Sequence, residues 1–213
     1  MTLEQEVYEY ILNNYEENEP VFLSDLAIDG VRNVSLRQQL KKLVEEGRIR
    51  RYDTGIYYIP GKSSFRSGGT LSLNDVLRKK YLTDGEKRCG YVGGILFANQ
   101  LGLTTQLPSS YEVSTNKATT AYRETELASV RIILRKPVCA IDEDNWFILQ
   151  FMDLLKEIDE ISEVEGSELV DKITVYTKSR GIVFGMIKPY LRYYPDRIYR
   201  NMYETGVLNG FSA

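Results

Sequence analysis

The sequence predicts an α+β protein of two parts, and three observations lead there. Apolar residues recur at helical spacing within the first 46 residues. A β-rich hairpin with a tight turn follows directly. Beyond residue 70, strand-like and helix-like stretches mix before a final third that reads as helix. At 213 residues, 43% hydrophobic and 27% charged, the chain has enough material for one ordinary and one small domain, each with a packed core.

The elements follow in order. Leu3, Val7, Ile11 and Tyr15 repeat every fourth residue with Tyr8 and Leu12 beside them, while Glu4, Glu6, Glu9 and Glu16 take the other face. This is an amphipathic helix that ends before Pro20. Ser24 is placed to cap a short second helix that Gly30 would end. Asn33 or Ser35 caps a third, which runs to about Glu46 on a core stripe of Leu36, Leu40, Leu43 and Val44, with Gly47 closing it. Arg48 to Tyr52 then alternates, Asp53-Thr54-Gly55 is a turn, and Ile56 to Ile59 returns as a strand. Three short helices and a hairpin within about 60 residues is the order of a winged helix-turn-helix.

Pro60 to Gly69, rich in glycine and serine, reads as a linker, so the expected organisation is a first domain at 1–60, a linker at 61–70 and a mixed α/β domain at 71–213 that ends in several helices. In that second domain Leu71 to Leu82 has helical spacing behind a cap at Ser72 or Asn74, and Tyr91 to Leu101 reads as helix. Tyr111 to Ser114 and Val130 to Leu134 read as strands, and Ala121 to Glu126 fits either state. Helical faces follow from Asn145: Trp146, Leu149, Met152 and Leu155 on one, Leu169, Ile173 and Tyr176 on a second, Ile182 to Ile187 as a third, and Pro195 to Tyr203 as the last, with Pro195 in its first turn.

Charge is segregated. The chain carries −3 overall, but Arg32 to Arg51 holds seven basic residues against Glu45 and Glu46, a local +5 that leaves −8 for the rest. Such a field suits docking one face on phosphate. Burying the leucine stripe of the third helix turns Ser35, Arg37, Gln38, Gln39, Lys41 and Lys42 outward. Arginine forms bidentate contacts to guanine and glutamine to adenine, and residues near the start of such a helix reach bases. Ser35, Arg37, Gln38 and Gln39 are therefore expected at bases, Lys41 and Lys42 at the backbone, and Arg50, Arg51 and Thr54 of the hairpin at phosphate or the minor groove. The expected partner is double-stranded DNA. Paired sites or a homodimer are expected as well, because one such domain binds modestly.

No enzyme is expected. The chain has no histidine, which removes serine–histidine and cysteine–histidine catalysis and nearly all zinc sites. Asp142, Glu143 and Asp144 are adjacent rather than convergent, and no phosphate-binding glycine motif occurs, so neither metal nor cofactor is expected. Cys89 and Cys139 form no CxxC pair and read as reduced thiols. The acidic start MTLEQEVYEY lacks a signal-peptide layout and no long apolar run occurs, so a cytoplasmic protein without a membrane partner is expected.

Four stretches carry a resemblance to a known family: KKLVEEGRIRRYDTGIYYIP (Lys41 to Pro60), GYVGGILFANQLGLTTQLP (Gly90 to Pro108), STNKA (Ser114 to Ala118) and YYPDR (Tyr193 to Arg197). The chain resembles the AbiEi-type antitoxins of type IV toxin–antitoxin (abortive infection) systems. The resemblance implies a winged helix-turn-helix joined to an α/β domain. It also implies repression of the protein's own operon and antagonism of a nucleotidyltransferase-like toxin as functional partner. A second reading stays open, a protein-interaction scaffold whose winged helix does not bind DNA. Thr104, Thr105 and Asn116 are residue types that satisfy backbone groups at turns, and the hydroxyl-rich LTTQLPSS loop also fits a contact to a partner or a phosphate. Tyr190, Tyr193, Tyr194, Tyr199 and Tyr203, interleaved with Lys188, Arg192, Arg197 and Arg200, fit a helical bundle, a protein partner or a nucleic-acid surface.

Overall fold

Helix α1 (Leu3–Asn14) starts at a capping box: Gln5 N–H donates to the Thr2 hydroxyl, and the Gln5 side chain accepts from the Thr2 N–H. Its stripe seats Val7 and Ile11, both fully buried, in the core of the first unit. The structure is a computed structural model that describes residues 2–61 and 69–210, and it divides into two units, Met1–Lys80 and Tyr81–Ala213. Most of the segment expected as a linker lies outside the described residues.

In the first unit, strand β1 (Val21–Phe22) leads into a 3₁₀ turn, Leu23–Asp25. The second helix expected from Ser24 to Gly30 does not form as an α-helix. Ser24 donates to its neighbour Asp25 instead of capping, and a seven-residue segment containing Ser, two Asp and Gly recovers too few hydrogen bonds to offset helix nucleation. Helix α2 (Asn33–Glu45) follows with Leu36, Leu40 and Leu43 buried. Its N-cap is Arg32, so Asn33 and Ser35 lie inside the first turn, and no side chain among the described residues caps it. Gly47, at φ +73°, ends it as expected. Strands β2 (Arg50–Asp53) and β3 (Ile56–Tyr58) form the expected hairpin about Thr54-Gly55, with a bulge between Arg51 and Asp53. β3 also pairs with β1, which gives a three-stranded antiparallel sheet in the order β1-β3-β2. Helix α3 (Leu73–Leu77), capped by Ser72, continues as a π-turn at Arg78–Leu82.

The second unit opens with a short ribbon, β4 (Thr83–Asp84) and β5 (Lys87–Arg88). Its main sheet contains β6 (Gly90–Gly93), β7 (Tyr111–Thr115), β8 (Tyr122–Leu127) and β9 (Val130–Arg135) in the order β6-β7-β9-β8, parallel only between β7 and β9. The stretch expected as one helix from Tyr91 splits into β6 and α4 (Gly94–Gln100). Pairing with β7 claims the first half, and a Cβ on Gly90 would sit 2.5 Å from the Tyr81 carbonyl oxygen. Ala121 to Glu126 resolves as strand β8.

Helix α5 (Trp146–Ile161) is the core of this unit. Leu149, Phe151, Met152 and Leu155 are fully buried, and the helix packs against β6, α4 and α8. Around it lie α6 (Gly166–Arg180), α7 (Phe184–Ile187), a 3₁₀ turn at Lys188–Tyr193, α8 (Arg197–Glu204) and α9 (Val207–Gly210). The last expected helix starts later than Pro195, at Arg197, and the Pro195 carbonyl accepts the Ile198 N–H. Cys89 and Cys139 are both free thiols, and burial raises the pKa of each.

Candidate nucleic-acid interface

The sequence that folds α2 and the hairpin also sets their exposed chemistry. With Leu36, Leu40 and Leu43 inward, the 100° advance per residue divides the outer surface into a ridge and two flanks. Val34, Gln38, Lys41 and Glu45 run along the ridge. Arg37 and Val44 lie on one flank, and Ser35, Gln39 and Lys42 on the other. Arg37, Gln38, Lys41 and Lys42 are exposed, whereas Ser35 and Gln39 are half-buried.

A groove of about 640 Å³ runs beside the Arg37 flank. Its walls are Arg37, Lys41, Val44 and Glu45 from α2, Arg51, Thr54, Gly55 and Tyr57 from the hairpin, and Leu23 from the 3₁₀ turn. Four of the nine residues expected at DNA therefore share one concave surface. Gly55, at φ +71°, permits the tight turn that sets Thr54 opposite the helix. Arg51 bends back along the turn, donating from Nε to the Asp53 carbonyl at 3.2 Å and from Nη2 to the Thr54 hydroxyl at 3.0 Å. The guanidinium is thus held at the lip of the groove. Lys41 faces Glu45 at 3.7 Å with both side chains well exposed, a contact that water largely screens.

Ser35, Gln38, Gln39, Lys42 and Arg50 do not line this groove. Arg50 is half-buried on β2. Arg48, counted in the basic run, turns away: it stacks on Tyr8 at 3.8 Å and pairs with Glu4 and Glu46 at 3.5 and 3.6 Å. Sequence reasoning missed Val34, which is 70% exposed in the first turn of α2. Its signal was present, because Val34 sits a full turn ahead of Gln38 on the side away from the leucines.

Several polar side chains of the other motifs bond within the chain. Thr104 accepts from Gln106 N–H, and Thr105 donates its N–H and hydroxyl to Glu163 at 2.6 and 2.9 Å. Those bonds hold the Glu163 carboxyl below the usual carboxylate range. Asn116 donates to the Ile141 carbonyl and accepts the Ile141 N–H, as a turn-satisfying residue does. Asp142 accepts the N–H groups of Asp144 and Asn145 ahead of α5. Tyr194 is buried, while Tyr193, Tyr199 and Tyr203 are 42%, 48% and 70% exposed. Among the described residues no group of three or more Cys, Asp or Glu side chains converges to hold a metal ion, and no helix is long and apolar enough to cross a membrane.

No protein-family model matches the chain, and a search of curated proteins finds no match.

Proposed function

We propose that the first unit is a winged helix-turn-helix that binds double-stranded DNA, and that the protein is a transcriptional regulator of its own operon. The carrying observation is the groove in which Arg37 and Lys41 of α2 face Arg51 and Thr54 of the hairpin. A DNA backbone supplies what such a groove selects, an evenly spaced row of phosphates. The exposed ridge of α2 would then enter the major groove, and the uncapped first turn of α2 offers its N–H groups to a phosphate. Here Arg37, on the groove flank, contacts backbone, and Gln38, on the ridge, contacts a base.

The resemblance of the Lys41–Pro60, Gly90–Pro108, Ser114–Ala118 and Tyr193–Arg197 stretches to AbiEi-type antitoxins supports a more specific reading. In it the protein is an autorepressing antitoxin of a type IV toxin–antitoxin system. Its functional partner is a nucleotidyltransferase-like toxin encoded beside it.

The test is binding to the DNA upstream of its own gene against scrambled DNA across a salt series. Specific binding should exceed the control by roughly a thousandfold and weaken steeply with salt. Replacing Arg37, Lys41 and Arg51 together by alanine should cost at least about a hundredfold in affinity and leave the circular dichroism spectrum unchanged. Equal affinity for both DNAs at every salt concentration would discard the regulator. It would favour a scaffold reading, with Tyr193, Tyr199 and Tyr203 as the surface to test against protein partners.

A further inference from the structure

Within the first unit, the core gives no reason for the apolar side chain of Val34. The residue is 70% exposed and carries a β-branched side chain, which lowers helix propensity. It stands at the second position of α2, on the same ridge as Gln38 and Lys41, and nothing in the core of the first unit packs on it. We infer that Val34 is a specificity-determining residue whose isopropyl group contacts the 5-methyl group of a thymine in the major groove. The inference rests on the DNA-binding reading of α2 and deepens it by naming a base.

Chemistry and position agree. The thymine methyl is the apolar group that the major groove presents, and small apolar side chains read it by contact. The residue sits in the first turn, the part of a recognition helix that reaches base edges. Gln38 lies one turn further on along the same ridge, and its carboxamide matches the N6 and N7 edge of adenine. The two together select a thymine and an adenine in adjoining positions of each half-site. Arg37 on the flank and Lys41 further along the ridge, both at the groove, hold the backbone while the first two turns read.

The experiment selects the best-bound duplex from a randomised pool with the full-length protein. It then replaces each thymine of that duplex in turn by deoxyuridine, which removes only the methyl group. At one thymine per half-site, affinity of the unsubstituted protein should fall about four-fold, the worth of one buried methyl group. Val34→Ala should bind the thymine duplex more weakly by a similar factor and should no longer distinguish thymine from uracil. Gln38→Ala should keep that distinction and lose preference at a neighbouring adenine. A clear selected sequence to which every thymine-to-uracil exchange is neutral would overturn the role of Val34 and leave DNA binding standing. Retained discrimination in Val34→Ala would do the same. A pool that returns no preferred sequence would overturn both.

Discussion

Three tyrosines in the second unit tie stability to pH. Tyr91 is 1% exposed and its hydroxyl donates to Asp153 at 2.7 Å; burial first, then that carboxylate, pushes its pKa well above the ordinary tyrosine value. Tyr194 is raised by burial and by Asp153, and Tyr176, edge-on to Phe97, is raised by burial to about 12. A phenol is neutral when protonated, so each shift means that the fold prefers the protonated form. In the unfolded chain these groups ionise near their ordinary value of about 10. Their contribution is therefore fully present below about pH 10 and is lost as pH rises further, by roughly 1.4 kcal/mol per tyrosine per pH unit. Urea unfolding measured from pH 8 to 11 should give a gentle fall from about pH 9, where the buried thiols of Cys89 and Cys139 begin to contribute, and a steeper fall above about 10. Tyr91→Phe should remove about one tyrosine's share of that slope. An unchanged slope would mean that Tyr91 ionises in the folded protein.

At the scale of elements, β8 is an edge strand built against self-association. Tyr122, Glu124 and Glu126 share one face, and Arg131 of β9 binds Glu124 through both its Nε and Nη2 atoms. Antiparallel pairing with a second β8 keeps every residue on its own face, which sets Glu124 against Glu124 or Glu126, and like charges directly opposite are destabilising. Replacing Glu124 and Glu126 by valine should therefore produce concentration-dependent association in light scattering, absent from the unsubstituted chain. A monodisperse double variant would show that strand twist alone protects the edge. The same elements explain what the sequence could reveal. α1, α2, the hairpin, α5 and α6 were legible because each carries its own periodicity and, for α2, a glycine stop. The ends of β6 were not, because a run of Tyr, Val, Gly, Gly, Ile and Leu satisfies a strand and a helix equally, and only pairing with β7 decides. β1 was invisible for a related reason: two residues show no period, and the strand exists because β3 offers a free edge. Among the candidate site residues, charge pointed to Arg37, Lys41 and Arg51 and the turn to Thr54, but their meeting in one groove is a product of the turn at Gly55. Val34 escaped notice because apolar residues are read first as core.

At the scale of the molecule, net charge hides the property that matters. The first 80 residues carry 12 basic and 12 acidic side chains, and the remaining 133 carry the whole net charge of −3. The neutral first unit is nevertheless polar: Glu4, Glu6 and Glu9 are on α1, while Arg37, Lys41, Lys42 and Arg51 are on α2 and the hairpin. Affinity for DNA should follow the second group and ignore the total. Each neutralised phosphate contributes about −0.9 to the slope of log affinity against log salt. Four cations on one copy thus predict a slope near −3.6, and two copies on a two-fold site predict about −7. The slope consequently counts copies on the DNA. A value near −7 that halves on a duplex with one half-site would establish a pair, with a separation of about one or two helical turns between half-sites. A value near −3.6 on both duplexes would mean that one copy suffices, in which case the specificity must come from the ridge of α2 alone. A slope close to zero would mean that these four cations do not meet phosphate, since each phosphate they neutralise releases counterions.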